Sequence, residues 1–137
     1  MSMVLDASMT VSWFFATERS DASHAVLRRV ATEGASVPSL WRLEVANVLR
    51  NAVRHGRCDE PYADRCLERL RRLRITVDSE TDAHAWGQTR RLAQVQDLTL
   101  YDAAYLELAK RREQPLASCD AALMKAARSV GLDVLSA

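Results

Sequence analysis

Five short, mostly apolar runs, set between longer segments with helical signals, constrain this chain more than any other feature. They are Met3–Leu5, Ala35–Val37, Ile75–Val77, Pro115–Ser118 and the weaker Asp133–Leu135. Strands that read as apolar runs rather than as an alternating pattern belong to parallel sheets covered on both faces. The intervening helices supply that cover, because a parallel strand pair needs a crossover connection. The pattern therefore predicts an α/β fold built on a parallel sheet. In such sheets ligands bind beyond the carboxyl ends of the strands, near the point where strand order reverses.

Capping and stop residues set the expected helices. Ala7–Ala16 follows the first strand, and Asp21–Thr32 stops near Gly34. Ser39 can cap Leu40–His55, with Gly56 as its stop. Asp59 or Glu60 before Pro61 opens a helix reaching Leu73. Ser79–Gln94 is expected to be helical through Gly87, at about 1 kcal/mol relative to alanine. Thr99 caps Leu100–Arg112, and Asp120–Ser129 ends before Gly131. No repeat, linker or low-complexity stretch divides the 137 residues, so a single domain over 1–137 is expected.

Composition excludes several classes. With 48% hydrophobic and 27% charged residues the chain is globular rather than disordered. No apolar run approaches the roughly 20 residues of a membrane span. The first residues lack the basic-then-apolar pattern of a signal peptide. The expectation is a cytoplasmic protein with no membrane partner. Cys58, Cys66 and Cys119 are odd in number and show no C-x-x-C spacing, which predicts reduced thiols rather than a disulfide framework or zinc knuckle. His24, His55 and His84 form no H-x-x-x-H pair. A net charge of +1 does not mark a nucleic-acid binder. Of 19 basic residues, however, all but Lys110 and Lys125 are arginine, whose planar fork suits phosphate. GC-rich coding accounts for much of that excess.

Four acidic residues stand out by position. Asp6 ends the first strand, and Asp120 lies two residues past Ser118, just beyond the fourth. Either alone serves as a helix cap. If the two strands are neighbours, both carboxylates face one crevice. Glu44 lies a full turn inside its helix with Leu40, Trp41 and Val48 around it. A carboxylate on a half-buried face costs several kcal/mol unless paired or metal-bound. A salt bridge to an arginine is the simple alternative. Asp102 follows Thr99 in near capping-box spacing, yet Leu98 and Leu106 flank it one turn either way. Clustered carboxylates raise one another's pKa, and a divalent cation relieves the conflict. Oxygen-only ligands favour Mg²⁺ or Mn²⁺ over zinc. Phosphodiester hydrolysis by water activated at such an ion is the chemistry that needs this arrangement.

Four segments carry a family likeness. They are Val4–Ser8, Glu44–Leu49, Thr99–Leu106 with its Tyr-Asp-Ala-Ala-Tyr core, and Ala117–Asp120. In order and spacing they resemble the PIN-domain nucleases, and among them the VapC-type toxins. The likeness covers essentially the whole chain. Serine at 118, where threonine is common, keeps the hydroxyl. The resemblance implies a five-stranded parallel sheet in the order 3-2-1-4-5. It implies Asp6, Glu44, Asp102 and Asp120 as metal-binding catalytic residues, with Ser8, Asn47 and Ser118 in support. It further implies Mg²⁺-dependent endonucleolytic cleavage of RNA, with Mn²⁺ as a substitute. It implies assembly as a homodimer or larger complex, and inhibition by a VapB-type antitoxin lying against about Leu40–Leu73.

Residues 65–74 bring seven helical-phase positions of note: Leu67, Leu70 and Leu73 with Arg65, Arg69, Arg71 and Arg72 around them. A solvated basic face is the plain reading, and a rim for RNA phosphates or antitoxin the functional one. Setting the four site carboxylates aside moves the net charge from +1 to +5, so a bound cation favours RNA. Trp13, Phe14, Phe15 and Trp41 are expected in core or subunit packing rather than base stacking. Two other readings compete. One is a catalytically silent PIN-like module that binds partners. The other is a phosphoacceptor receiver domain with Asp78 as acceptor.

Overall fold

The computed structural model describes residues 2–136. Its strands are β1 (Met3–Leu5), β2 (Ala35–Val37), β3 (Ile75–Val77), β4 (Leu116–Ser118) and β5 (Val134–Ser136). All neighbours pair in parallel, in the order β3-β2-β1-β4-β5. The three central strands are fully buried, whereas β3 and β5 at the edges are partly exposed. Burial on both faces accounts for the uninterrupted apolar character of β1. Strand order reverses between β1 and β4, and this is where Asp6 and Asp120 emerge.

The helices are α1 (Ala7–Ser12), α2 (Asp21–Glu33), α3 (Trp41–Arg54), α4 (Glu60–Arg71), α5 (Thr81–His84), α6 (Arg90–Gln96), α7 (Leu100–Arg112) and α8 (Ala121–Ser129). Asp6, Ser20, Asp59, Thr99 and Asp120 each cap a helix with a side-chain oxygen. Gly34 closes α2 with φ +78, where a β-carbon would meet the Arg74 carbonyl oxygen at 2.8 Å. Only glycine both adopts that conformation and lets β2 approach the start of β3.

Three helix expectations need correction. The first helix ends at Ser12, not Ala16. Trp13, Phe14 and Phe15, which follow it, are all buried. The chain instead turns here through bonds from Trp13 N–H to the Thr10 carbonyl and Phe14 N–H to the Val11 carbonyl. Ser39 does not cap α3. Its N–H donates to Thr81 Oγ1 at 3.0 Å, and the helix opens through a Trp41 N–H bond to the Pro38 carbonyl. The segment expected as one helix over 79–94 is divided. α5 and α6 flank a π-helical stretch, Ala85–Thr89, in which Gly87 has non-helical dihedrals. Glycine inside a helix invites such a kink, and Trp86 is thrown out to 92% exposure.

Two polar ties set the helices that carry the acidic residues. Trp41 Nε1 donates to Thr10 Oγ1 at 3.1 Å, and Thr10 Oγ1 donates to the Asp6 carbonyl at 2.7 Å. This chain joins α3 to the end of β1. At the far end of α7, Arg111 donates to both oxygens of buried Asp78 and to Glu107, while Arg112 adds a bond to Asp78. Asp78 also accepts from Thr81. The network clamps α7 to the loop after β3. The cysteines are free thiols, Cys66 buried and Cys119 exposed. Among the described residues no helix is long and apolar enough to cross a membrane.

Candidate active site

Asp6 sits at the carboxyl end of β1, almost wholly buried, and three groups contact its carboxylate. Oδ1 accepts from Met9 N–H at 2.9 Å and from Ser8 Oγ at 2.8 Å. Oδ2 accepts from Ser118 Oγ at 2.5 Å and lies 2.9 Å from Ser8 Oγ. Both serine hydroxyls are used twice. Ser8 Oγ accepts from Cys119 N–H at 2.9 Å, and Ser118 Oγ accepts from Asp120 N–H at 2.9 Å. The ends of β1 and β4 are thus stitched together through Asp6. Burial pushes the Asp6 carboxyl up to about 6, against the lowering effect of the Ser118, Met9 and Ser8 bonds, and the charge on Asp120 adds to the rise.

Asp120 caps α8 by accepting from Leu123 N–H with Oδ1 at 2.9 Å. That leaves Oδ2 without a bond among the described residues. Asp102 is half-buried in the first turn of α7. Its N–H donates to Thr99 Oγ1 at 3.1 Å, so the capping contact expected from Thr-x-x-Asp is formed. Burial raises its carboxyl pKa, and the nearby Asp120 charge raises it further. Glu44, on α3, is half-buried as well, and among the described residues no arginine pairs with it. Its partner is Tyr105 of α7, whose hydroxyl donates to Oε1 at 2.5 Å. Burial raises the Glu44 pKa, and the Asp102 charge also raises it.

The electrostatic couplings form a chain: Asp6 with Asp120, Asp120 with Asp102, and Asp102 with Glu44. Tyr105 feels the charges of Glu44, Asp6 and Asp102 together. Four carboxylates from four separate elements therefore lie near enough, neighbour to neighbour, to feel one another's charge. Among the described residues none of the four carboxylates has a lysine or arginine partner. Nor do three His, Cys, Asp or Glu side chains converge closely enough to ligate one ion directly. Mg²⁺ is commonly held by one or two carboxylates and keeps several waters, and an all-oxygen, uncompensated set of this kind fits that demand.

Two expected residues stand apart. Asn47 is exposed and makes no hydrogen bond among the described residues, so it does not orient Glu44 here. Asp78 is committed to Arg111, Arg112 and Thr81, and lies beyond edge strand β3, separated from β1 by β2. Burial alone would push its carboxyl up, but the arginines and Thr81 hold it down at about 2. A carboxylate held this way is no phosphoacceptor, and the receiver-domain reading falls. The residue not anticipated is Tyr105. Its signal was present in the sequence: it lies three residues after Asp102, on the same face of a helix whose middle is wholly buried.

Comparison with known proteins gives the family and the fold. Residues 3–129 match the PIN domain family. No curated protein matches the chain. Several solved structures share its fold. PAE2754 from Pyrobaculum aerophilum is 24% identical, with a TM-score of 0.71 over 98% of this chain and 84% of its own. FitAcB from Neisseria gonorrhoeae is 17% identical, with a TM-score of 0.67 over 97% of this chain and 96% of its own. VapBC2 from Rickettsia felis, solved with a DNA fragment from their promoter, is 14% identical, with a TM-score of 0.67 over 100% and 99%. At these identities the likeness is one of fold. The sheet order, the acidic pocket at its switch point and the match over nearly the full length agree: the chain belongs to the PIN domain family.

Proposed function

We propose that this protein is a Mg²⁺-dependent endoribonuclease and the toxin half of a VapC-type toxin–antitoxin pair. The observation that carries the reading is the pocket of Asp6, Glu44, Asp102 and Asp120, coupled in charge and without a cationic partner among the described residues. A fold that gathers four costly carboxylates and leaves them uncompensated is built for a divalent cation. That ion, Mg²⁺ or Mn²⁺, would supply the positive charge that activates water and stabilises a departing phosphodiester oxygen.

The chain's own residues prepare the site. Ser8, Ser118 and the Met9 N–H hold Asp6 in a single orientation. Tyr105 does the same for Glu44. Asp120 caps α8 with one oxygen and leaves the other without a hydrogen bond among the described residues. Cleavage of an RNA should need Mg²⁺ or Mn²⁺ and be lost in Asp6→Asn and Asp102→Asn. Undiminished cutting by highly purified protein in excess EDTA would overturn the metal-dependent mechanism.

For the antitoxin, a groove of about 300 Å³ between α3 and α4 is lined by Trp41, Val45, Leu67, Leu70, Leu73 and Ile75, with Arg42 and Arg71 at its rim. This is where the family resemblance puts a VapB-type partner, and an apolar floor with basic edges suits an amphipathic segment bearing acidic residues. Trp86 and Val95, at 92% and 71% exposure, offer apolar surface for the expected homodimer or larger assembly.

A further inference from the structure

A second feature of the surface begins where the carboxylate pocket ends. A cleft of about 540 Å³ opens beside Asp120, with Ser8 and Cys119 on the pocket side and Thr17, Arg19 and Ser20 on the outer side. That volume lies within the usual range of small-ligand sites and admits one nucleotide rather than a stacked duplex. Arg19 is exposed and makes no ion pair among the described residues. The one acid of the outer wall, Glu18, is occupied by Arg57 at 2.9 Å.

Arg57 links this cleft to the next stretch of surface. Its guanidinium lies 4.3 Å from the centre of the Phe15 ring. Arg65 lies 5.7 Å over Tyr62, and Arg69 lies 5.6 Å over Phe14. The three guanidinium groups are held on aromatic faces, which limits their freedom while leaving them exposed. Tyr62 is itself fixed by a hydroxyl bond to the Phe14 carbonyl. α4 thus has two functional sides. Leu67, Leu70 and Arg71 face the α3 groove, while Tyr62, Arg65 and Arg69, at helical spacing, face the turn after α1.

We infer that single-stranded RNA leaves the carboxylate pocket through the Arg19 cleft and continues along Arg57, Arg65 and Arg69. The nucleotide beside the cut occupies the cleft, and the phosphates beyond it meet the ring-supported arginines. A pocket of four carboxylates repels a polyanion, and a fixed row of cations leading from its mouth offsets that repulsion. Aromatic rings between the arginines add stacking surface for unpaired bases. This inference rests on the nuclease reading and deepens it.

The test is fluorescence anisotropy on a labelled 12-nucleotide single-stranded RNA, with all proteins carrying Asp6→Asn to prevent cutting. Replacing Arg19, Arg65 and Arg69 together by glutamine removes three positive charges and keeps polar side chains at all three positions. Binding should weaken at least about tenfold at 0.1 M salt, and the slope of log affinity against log salt should fall by about 2, near 0.7 for each lost phosphate contact. Replacing Arg91, Lys125 and Arg128 by glutamine makes the same charge change elsewhere and should weaken binding less than about threefold. Equal losses in the two triples, or none in the first, overturn the track while leaving the nuclease reading intact. No RNA binding by the parent overturns both. Poly-glutamate of matched charge competing as well as RNA overturns the track in favour of an acidic protein segment.

Discussion

The Ser118 hydroxyl donates to Oδ2 of Asp6 at 2.5 Å, joining the ends of two neighbouring strands that lie 112 residues apart in sequence. Ser118 Oγ in turn accepts from Asp120 N–H. Ser118→Ala removes both contacts inside a buried site. The expected cost is about 1–3 kcal/mol of unfolding free energy, read from denaturant midpoints. Ser118→Thr keeps the hydroxyl and should recover most of it.

Asp6 predicts an unusual pH response. Burial raises its carboxyl from 3.8 to about 6, so the fold binds this proton more tightly than the unfolded chain does. The associated stability is fully present below the unfolded value and is lost as pH rises through about 6. The loss levels off at roughly 3 kcal/mol, from 1.36 kcal/mol per pKa unit. In EDTA, urea midpoints of the parent should therefore fall between pH 4 and pH 6.5, and Asp6→Asn should remove that part of the fall. Added Mn²⁺ should raise the parent's melting temperature more at pH 7.5 than at pH 5.

Asp78 works in the opposite direction. Arg111, Thr81 and Arg112 outweigh the effect of burial and hold its carboxyl at about 2. Its contribution is present above the unfolded value and lost as pH falls toward 2. Asp78→Ala leaves Arg111 and Arg112 without their shared partner at the end of α7. Arg111 keeps Glu107, so a destabilisation of about 1–3 kcal/mol is expected. Because α7 also carries Asp102 and Tyr105, hydrogen exchange in α7 should rise along its whole length rather than only at its end.

Tyr105→Phe separates positioning from packing. The ring is fully buried and the hydroxyl's only partner among the described residues is Glu44. Burial pushes the phenol's pKa far up, so the hydroxyl remains a donor. Losing a hydrogen bond to a charged acceptor is worth about 1.5–3 kcal/mol. Stability should fall by about that amount, and RNA cleavage by the folded variant should fall at least about tenfold in kcat with KM little changed. A change confined to KM would place Tyr105 in substrate binding instead.

Elements whose local signals agreed with their burial were readable from sequence. Ala35–Val37, Ile75–Val77 and the Thr99-capped helix Leu100–Arg112 have the expected bounds. Asp6 and Asp120 were placed together because strand ends and caps are local features, and parallel pairing of β1 with β4 did the rest. What could not be read depended on distant partners. Ser39 lost its expected capping role because its N–H meets Thr81, 42 residues away. The first helix stops early where Trp13 Nε1 donates to the Ser23 carbonyl and the Phe14 carbonyl accepts from the Tyr62 hydroxyl. Glu44 was expected to need a partner, but a tyrosine 61 residues on supplies it rather than an arginine. Asn47 lies on the exposed side of α3.

Titration calorimetry with Mn²⁺ tests the central claim most directly, since it needs neither the right RNA nor a partner. The parent, Asp6→Asn, Glu44→Gln and Asp102→Asn are compared at pH 7.5 after their folding is verified by circular dichroism. The account predicts saturable Mn²⁺ binding by the parent and at least about tenfold weaker binding in each variant. A folded parent that takes up no Mn²⁺, or variants that bind it as well as the parent does, would contradict a shared cation pocket.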